Sequence, residues 1–283
     1  MLDRRLHAFR SDLAEQDLEG HVDALRFVAG DKARIATPVI ALRPLADMET
    51  GIDTELLLGE EVTVFERADG WAWVKASEDG YVGYLPEAAL TTDADAPTHR
   101  IAVPRSFVYP RAELRSPVVK ALSMGSRLTV TGEAETRGTR YFLLADGGAV
   151  IAAHCLPVDA VLDDDAVSIA LRFLETPYLW GGRSGFGLDC SGLVQLSLMM
   201  AGHKVPRDTD MQAAFPAEDL QRGDLRRGDL VFWKGHVGIM EDEATLLHAN
   251  GHTMTVAREN FDKAVERIGW LYQRPTAYRR LVL

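Results

Sequence analysis

The sequence predicts an α+β domain in its C-terminal part, preceded by two small β-barrels. Three observations lead there. Between Ile35 and Val158 the chain is a series of short β-rich runs punctuated by turn pairs. Two of those runs repeat one another. After the acidic stretch VLDDDAV (161–167) the texture becomes helix, Gly-rich loop, helix, and only then strands, the order of an α+β domain.

Residues 1–35 form a lead-in. LDRRLHAFRSDLA places apolar residues at rough helical spacing, so a helical or irregular segment is expected. The run from 54 to 86, TELLLGEEVTVFERADGWAWVKASEDGYVGYLP, carries Asp69-Gly70 and Asp79-Gly80, both tight-turn signals. This assigns 36–95 to a first β-domain. After the polar stretch TTDADAPTHR, a second β-domain covers 96–158. LLLGEEVTV (56–64) and LSMGSRLTV (122–130) align at one offset, Gly59 with Gly125, Thr63 with Thr129 and Val64 with Val130.

The last domain covers 159–283. AVSIALRFLETPY reads as an amphipathic helix stopped by Pro177, and LWGGRSGFGLD as a Gly-rich loop. CSGLVQLSLMMAGH is an apolar helix. GDLVFWKGHVGIMEDEATLLHANGHTMTVA reads as three strands with turns at Glu241-Asp242 and Asn250-Gly251. ENFDKAVERIG is a further helix, and TAYRRLVL a closing strand.

The chain has 283 residues, 26% of them charged, with a formal net charge of −11. That charge argues against a nucleic-acid groove or an anionic membrane surface as the main partner. No run of about 18 apolar residues is present, and the N-terminal stretch has no apolar signal core. A cytoplasmic protein is therefore expected. Its two cysteines give no disulfide framework, and Cys155, in AVIAAHCLP, reads as a small buried hydrophobe.

Cys190 is different. It stands between Asp189 and Ser191 where the Gly-rich loop enters a helix. A cysteine attacks as its thiolate, and a helix N-terminus favours negative charge. Its backbone N–H can also face a developing oxyanion. His236 begins an apolar strand and His248 lies one hairpin later, so the two can face each other across antiparallel neighbours. Cys190, His236 and His248 are thus a candidate nucleophile, base and orienting group. His203 and His252 compete for these roles on spacing alone. The histidines lack convincing third and fourth ligands, so no metal or other cofactor is expected.

These residues resemble the NlpC/P60 family of papain-like cell-wall peptidases. The resemblance runs in order through PYLWGG (177–182), LDCSGLVQ (188–195), PRDTDMQ (206–212), RRGDLVFW (226–233), HVGIM (236–240) and LLHAN (246–250). The two β-blocks are similar to bacterial SH3-like domains, notably in GWAWVKASEDGYVGYLP (70–86). The whole is similar to the γ-D-glutamyl-L-diamino acid endopeptidases, which release L-Ala-γ-D-Glu from murein stem peptides.

The resemblance implies a papain-like catalytic domain with Cys190 as nucleophile, His236 as base and His248 as polar third member. It implies that Asp189, Ser191, Thr209, Trp180 and Tyr81 line the pocket for the free N-terminal L-Ala. It also implies one acidic residue from the first SH3-like domain, Glu55 or its neighbours Glu49 and Glu60. Each has a plainer reading: helix N-cap for Asp189, core aromatic for Tyr81, loop packing for Thr209 and Trp180. Arg207 and Gln212 are expected to brace their loop. The activity implied is hydrolysis of murein peptides recovered from wall turnover, with no nucleic-acid or membrane partner. A secreted wall hydrolase, a catalytically silent peptide-binding module and a lipid acyltransferase of related fold are the alternatives.

Overall fold

Strand-forming residues dominate the first half of the chain and a helix-then-sheet pattern the second, and the backbone divides accordingly. The computed structural model describes residues 2–93 and 95–282. The chain forms two compact units, 1–160 and 161–283.

In the first unit each β-block carries a five-stranded antiparallel sheet. One has the spatial order Val82–Pro86, Trp71–Ala76, Glu61–Ala68, Asp31–Ile35, Leu90–Thr91. The other runs Lys120–Ser123, Arg105–Tyr109, Ala149–Ile151, Thr139–Leu144, Val130–Thr136. Asp69 and Gly70 close a two-residue hairpin with φ of 52° and 79°, the left-handed pair such a loop demands.

The sequence repeat has a backbone counterpart. Gly59 N–H donates to Ile35 and Gly125 N–H to Ile101. Leu58 donates to Pro38 and Met124 to Pro104. A register shift follows Val64 in one block and Val130 in the other. The blocks also grip each other. Leu58 packs on the second block's core, and Arg127 N–H donates to the Leu58 carbonyl at 2.7 Å. A Cβ on Gly59 would stand 2.5 Å from the Arg127 carbonyl oxygen, so glycine permits this approach. Among the described residues both sheets are open: Val39–Leu42 and Thr54–Leu57 pair only with each other as a ladder, joined to the first sheet by the bridge Arg43–Tyr84 and by Leu42 lying against Gly83.

The lead-in differs from the helical expectation. It holds turns, one 3-10 turn at Gln16–Leu18, and a short parallel pairing of Ala14–Glu15 with Phe27–Val28. Ala8 and Leu13 are buried against Trp73 and Val82. A short isolated helix is marginal, so docking of its apolar residues onto the sheet decides its conformation.

The second unit has a six-stranded antiparallel sheet in the order Ala217–Asp219, Ala277–Leu281, Leu230–Trp233, His236–Met240, Thr245–Asn250, Thr255–Asn260. The segment expected to hold three strands holds four. Lys234-Gly235, with Gly235 at φ 75°, closes a hairpin between Trp233 and His236. Helix α1 (Ala166–Leu171) ends well before Pro177. Pro177 disfavours helix at Thr176, and the chain instead pairs with an edge: Glu175 N–H donates to Val256, and Val256 N–H to Thr176. Helix α2 (Cys190–Met200) is almost wholly buried. Helix α3 (Thr209–Ala213) is short. Helix α4 (Phe261–Leu271) lays Phe261, Ala264 and Ile268 into a cluster with Val231, Met240 and Leu246.

Candidate active site

Asp189 caps α2. Its backbone is extended, and its Oδ1 accepts the Gly192 N–H at 2.7 Å. That places Cys190 at the first helical position, where backbone N–H groups have no acceptor within the helix. The Gly-rich loop lies directly on this end. A Cβ on Gly192 would stand 2.2 Å from the Gly182 carbonyl oxygen, and one on Gly187 would meet Leu179 at 2.7 Å. The glycines of LWGG and CSG are there because backbone meets backbone.

The Asp189 carboxylate is fully used. Oδ1 accepts from Gly192, from the Ser191 hydroxyl (3.3 Å) and from Arg207 (3.0 Å). Oδ2 accepts from Gly181 N–H (2.9 Å) and again from Arg207 (2.7 Å). Arg207 is 1% exposed and also donates to the Ser191 hydroxyl at 2.9 Å and the Gly182 carbonyl at 3.3 Å. This buried bidentate pair ties three segments to the helix start. Gln212 adds a fourth tie, donating to the Ser191 and Pro206 carbonyls, both at 3.0 Å.

Cys190 Sγ accepts the Val237 backbone N–H and lies 3.8 Å from Thr209 Oγ1. Val237 follows His236, so the strand that presents the imidazole also touches the sulfur. His236 Nε2 is 2.9 Å from His248 Nδ1. The nitrogen left for the thiol is Nδ1. Neither His203 nor His252 takes the place of His248. Beyond it, His248 Nε2 stands 3.2 Å from Glu259 Oε2, approached off-axis, and Glu259 is held by Arg267 through two contacts of 2.9 and 2.6 Å. Sequence reasoning missed Glu259 and Arg267.

Burial sets the protonation states. It pushes the Cys190 thiol up to about 11, with the Asp189 charge adding to the shift. It pulls His236 down to about 3, helped by His248 and Arg267. His248 is lowered too, chiefly by burial. At neutral pH Cys190 thus rests as the thiol and His236 as a neutral imidazole.

Beside His236 lies a cavity of about 450 Å³, lined in part by Tyr178, Trp180, Lys234, His252 and Tyr272. Trp180 is 70% exposed at its edge. Tyr178 is close enough to Cys190 for the thiol to join burial in raising its hydroxyl. The second unit thus brings together Cys190, His236, His248, Asp189, Ser191 and Thr209, with Trp180 on the cavity beside them. Tyr81, Glu55 and Glu60 are buried in the first unit and Glu49 is exposed there. Tyr81 N–H donates to Asp79 Oδ1 at 3.1 Å, and Glu60 Oε2 accepts the Leu57 N–H at 3.0 Å.

A cysteine at a helix start, with two histidines in file behind it on an antiparallel sheet, is the arrangement that family comparison then places. Residues 175–268 match the NlpC/P60 family, and residues 42–90 match the bacterial dipeptidyl-peptidase SH3 domain. The chain carries an NlpC/P60 domain with a bacterial SH3 domain before it. It is a cysteine peptidase of the NlpC/P60 type. The γ-D-glutamyl-L-lysine dipeptidyl-peptidase of Bacillus cereus is 28% identical over 70% of this chain and 67% of that one. Dipeptidyl-peptidase 6 of Lysinibacillus sphaericus is 27% identical over 72% of this chain and 82% of its own. In fold, an NlpC/P60 family protein from Bacillus cereus superposes with a TM-score of 0.73 at 22% identity, covering 89% of this chain and all of the other.

Proposed function

We propose that the protein hydrolyses the γ-D-Glu–diamino acid bond of murein stem peptides with a free N-terminal L-Ala, releasing L-Ala-γ-D-Glu, and that it does so in the cytoplasm on peptides recovered from wall turnover. The observation that carries this reading is the 2.9 Å contact of His236 with His248, on the strand whose Val237 N–H reaches the Cys190 sulfur, with a cavity of about 450 Å³ beside His236. The names of the relatives supply the bond.

His236 Nδ1 takes the Cys190 proton, and the sulfur attacks the γ-carbonyl carbon of D-Glu. The C–N bond breaks, and the leaving amine takes the proton back from His236. Water, deprotonated by His236, attacks the thioester. The C–S bond breaks and the thiolate regains its proton. Backbone N–H groups at the start of α2 face the oxyanion.

On this reading Asp189 and Ser191 form the floor of the amine-binding region through Arg207, while Thr209 and Trp180 contact substrate. The first unit is read as tandem SH3-like domains over 36–95 and 96–158, supported by the recurring hydrogen bonds at Gly59 and Gly125. Lys234 indicates the leaving residue. It borders the cavity, has no ion-pair partner among the described residues, and no described carboxylate lines that cavity. A leaving residue whose side chain ends in a carboxylate as well as an ammonium, such as diaminopimelate, suits it better than lysine.

The test pairs L-Ala-γ-D-Glu-meso-diaminopimelate with its N-acetylated form, with Cys190→Ala as control. Cleavage of the free-amine peptide alone, between D-Glu and the diamino acid, is expected. Equal cleavage of both, or of an intact nucleotide-linked precursor, would replace this reading with that of a secreted wall hydrolase.

A further inference from the structure

The two histidines have a proton-counting problem. A neutral imidazole donates from one nitrogen and accepts at the other. For His236 to take a proton at Nδ1, its own proton must sit on Nε2. That N–H then points at His248 Nδ1, which must be bare. His248 must therefore carry its proton on Nε2. With the tautomers reversed, His236 Nδ1 holds a hydrogen and cannot act as a base. The 2.9 Å contact alone is compatible with either order.

Glu259 breaks the tie. We infer that Glu259, clamped by Arg267, is the positioning residue that fixes the proton order of the whole file, a role that rests on the proposed Cys190–His236–His248 assignment. Glu259 Oε2 stands 3.2 Å from His248 Nε2, off the N–H axis, and a carboxylate that close favours the tautomer with the proton on Nε2 over the one with a lone pair there. Arg267 keeps the carboxylate ionised. Its two contacts at 2.9 and 2.6 Å and the nearby His248 hold Glu259 at about 2, against the effect of burial.

The backbone makes this reach possible. His248 pairs directly with Ala257, and continuing the register from Ile239–Leu247 sets it opposite Gly238. Both direct partners are small. Each functional step runs diagonally, to His236 on one side and to Glu259 on the other, all on one face of the sheet. A Cβ on Gly238 would stand 2.6 Å from Leu246 Cδ1, so glycine is needed there for the packing of the neighbouring strand. The groups that face His248 are His236, Glu259, Arg267 and, at longer range, His252.

The order also serves the charged intermediate. When His236 becomes imidazolium, Glu259 is the anion whose field reaches it through His248, opposed by Arg267.

The test uses the full chain labelled with 15N-histidine. Long-range 1H–15N spectra read the His248 tautomer, and kcat and KM are measured on L-Ala-γ-D-Glu-meso-diaminopimelate. In the wild type His248 carries its proton on Nε2. Glu259→Ala is expected to lose that fixed tautomer and about 10- to 100-fold in kcat, with KM nearly unchanged. Glu259→Gln keeps an acceptor oxygen and is expected to restore the tautomer and most of kcat. A wild type with the proton on Nδ1 overturns the inference. So does a Glu259→Ala protein whose tautomer and kcat are unaltered, or one that loses kcat with the tautomer intact. If Cys190→Ala or His236→Ala keeps full activity, the triad assignment fails instead, and the tautomer spectra of His248 show which of the two is at fault.

Discussion

His236 Nε2 and His248 Nδ1 meet at 2.9 Å with their ring planes 62° apart, so one imidazole edge addresses the other. The side chain of His248 has no solvent exposure. Replacing it by alanine leaves the His236 N–H without an acceptor in a buried place. His248→Ala is expected to lower kcat strongly while KM changes little, and His248→Asn, which offers an acceptor oxygen, to retain more. Cys190→Ala and His236→Ala should fall by about a thousandfold or more. Steady-state kinetics on the tripeptide, with circular dichroism to establish folding, decides. Equal kcat in His248→Ala and wild type would remove His248 from the mechanism.

The pH dependence follows from the same burial. His236 is lowered to about 3, so its imidazole stays neutral to lower pH than an exposed histidine. The acid limb of kcat/KM should lie below the ordinary value of about 6.5. Stability carries the matching sign. Unfolded His236 and His248 take protons near 6.5 and the folded ones do not, so stability falls as pH drops below that value. Glu259, at about 2 when folded, adds a second loss between about 4.5 and about 2. Urea midpoints across pH should show the first decline in wild type and a flatter one in His248→Asn. A midpoint that rises on acidification would contradict the neutral histidine pair.

What could be read from the sequence was what short-range chemistry encodes. Asp189 before Cys190 is a helix start, and LWGGRSGFGLD read as a Gly-rich loop, whose close approach at Gly182–Gly192 only the structure shows. The spacing of His236 and His248 allowed a hairpin contact. The Lys234-Gly235 hairpin was hidden because Lys-Gly is a weak turn pair and only the left-handed φ of Gly235 betrays it. Glu259 and Arg267 were hidden for a different reason. They are ordinary charged residues, one at the end of a strand and one within helix α4, and only the diagonal across three strands gives Glu259 a histidine to face. Asp189 was read for its neighbour in sequence, whereas its main partner, Arg207, comes from another loop.

That pair carries its own prediction. Arg207 is 1% exposed and makes two contacts with Asp189, at 2.7 and 3.0 Å. Removing one partner of a buried pair strands the other charge. Arg207→Ala should lose about 3–5 kcal/mol in stability. Arg207→Lys should recover little of it, because an ammonium cannot reproduce the fork that spans both carboxylate oxygens and the Gly182 carbonyl. Denaturant unfolding measures both. A loss under about 1 kcal/mol in Arg207→Ala would mean that solvent or another group satisfies Asp189, and that its carboxylate is free for substrate.

Lys234 offers the last discrimination. It stands two residues before His236, at the hairpin turn bordering the cavity, where the leaving residue of a bound stem peptide would lie. The relatives are named for lysine at that position, and a lysine side chain would bring a second ammonium towards Lys234. Diaminopimelate carries a carboxylate beside its ammonium, which gives Lys234 an anion to meet. An exposed contact of this kind is modest, so Lys234→Gln should cost roughly two- to fivefold in kcat/KM on the diaminopimelate tripeptide and nothing on the lysine tripeptide. Lys234→Glu should turn the preference towards lysine. Parallel kinetics on the two tripeptides read this directly. If Lys234→Gln slows both alike, the side chain acts on the hairpin and not on the leaving residue, and the preference must be sought elsewhere in the cavity wall, where His252, Tyr178 and Tyr272 can also meet a carboxylate.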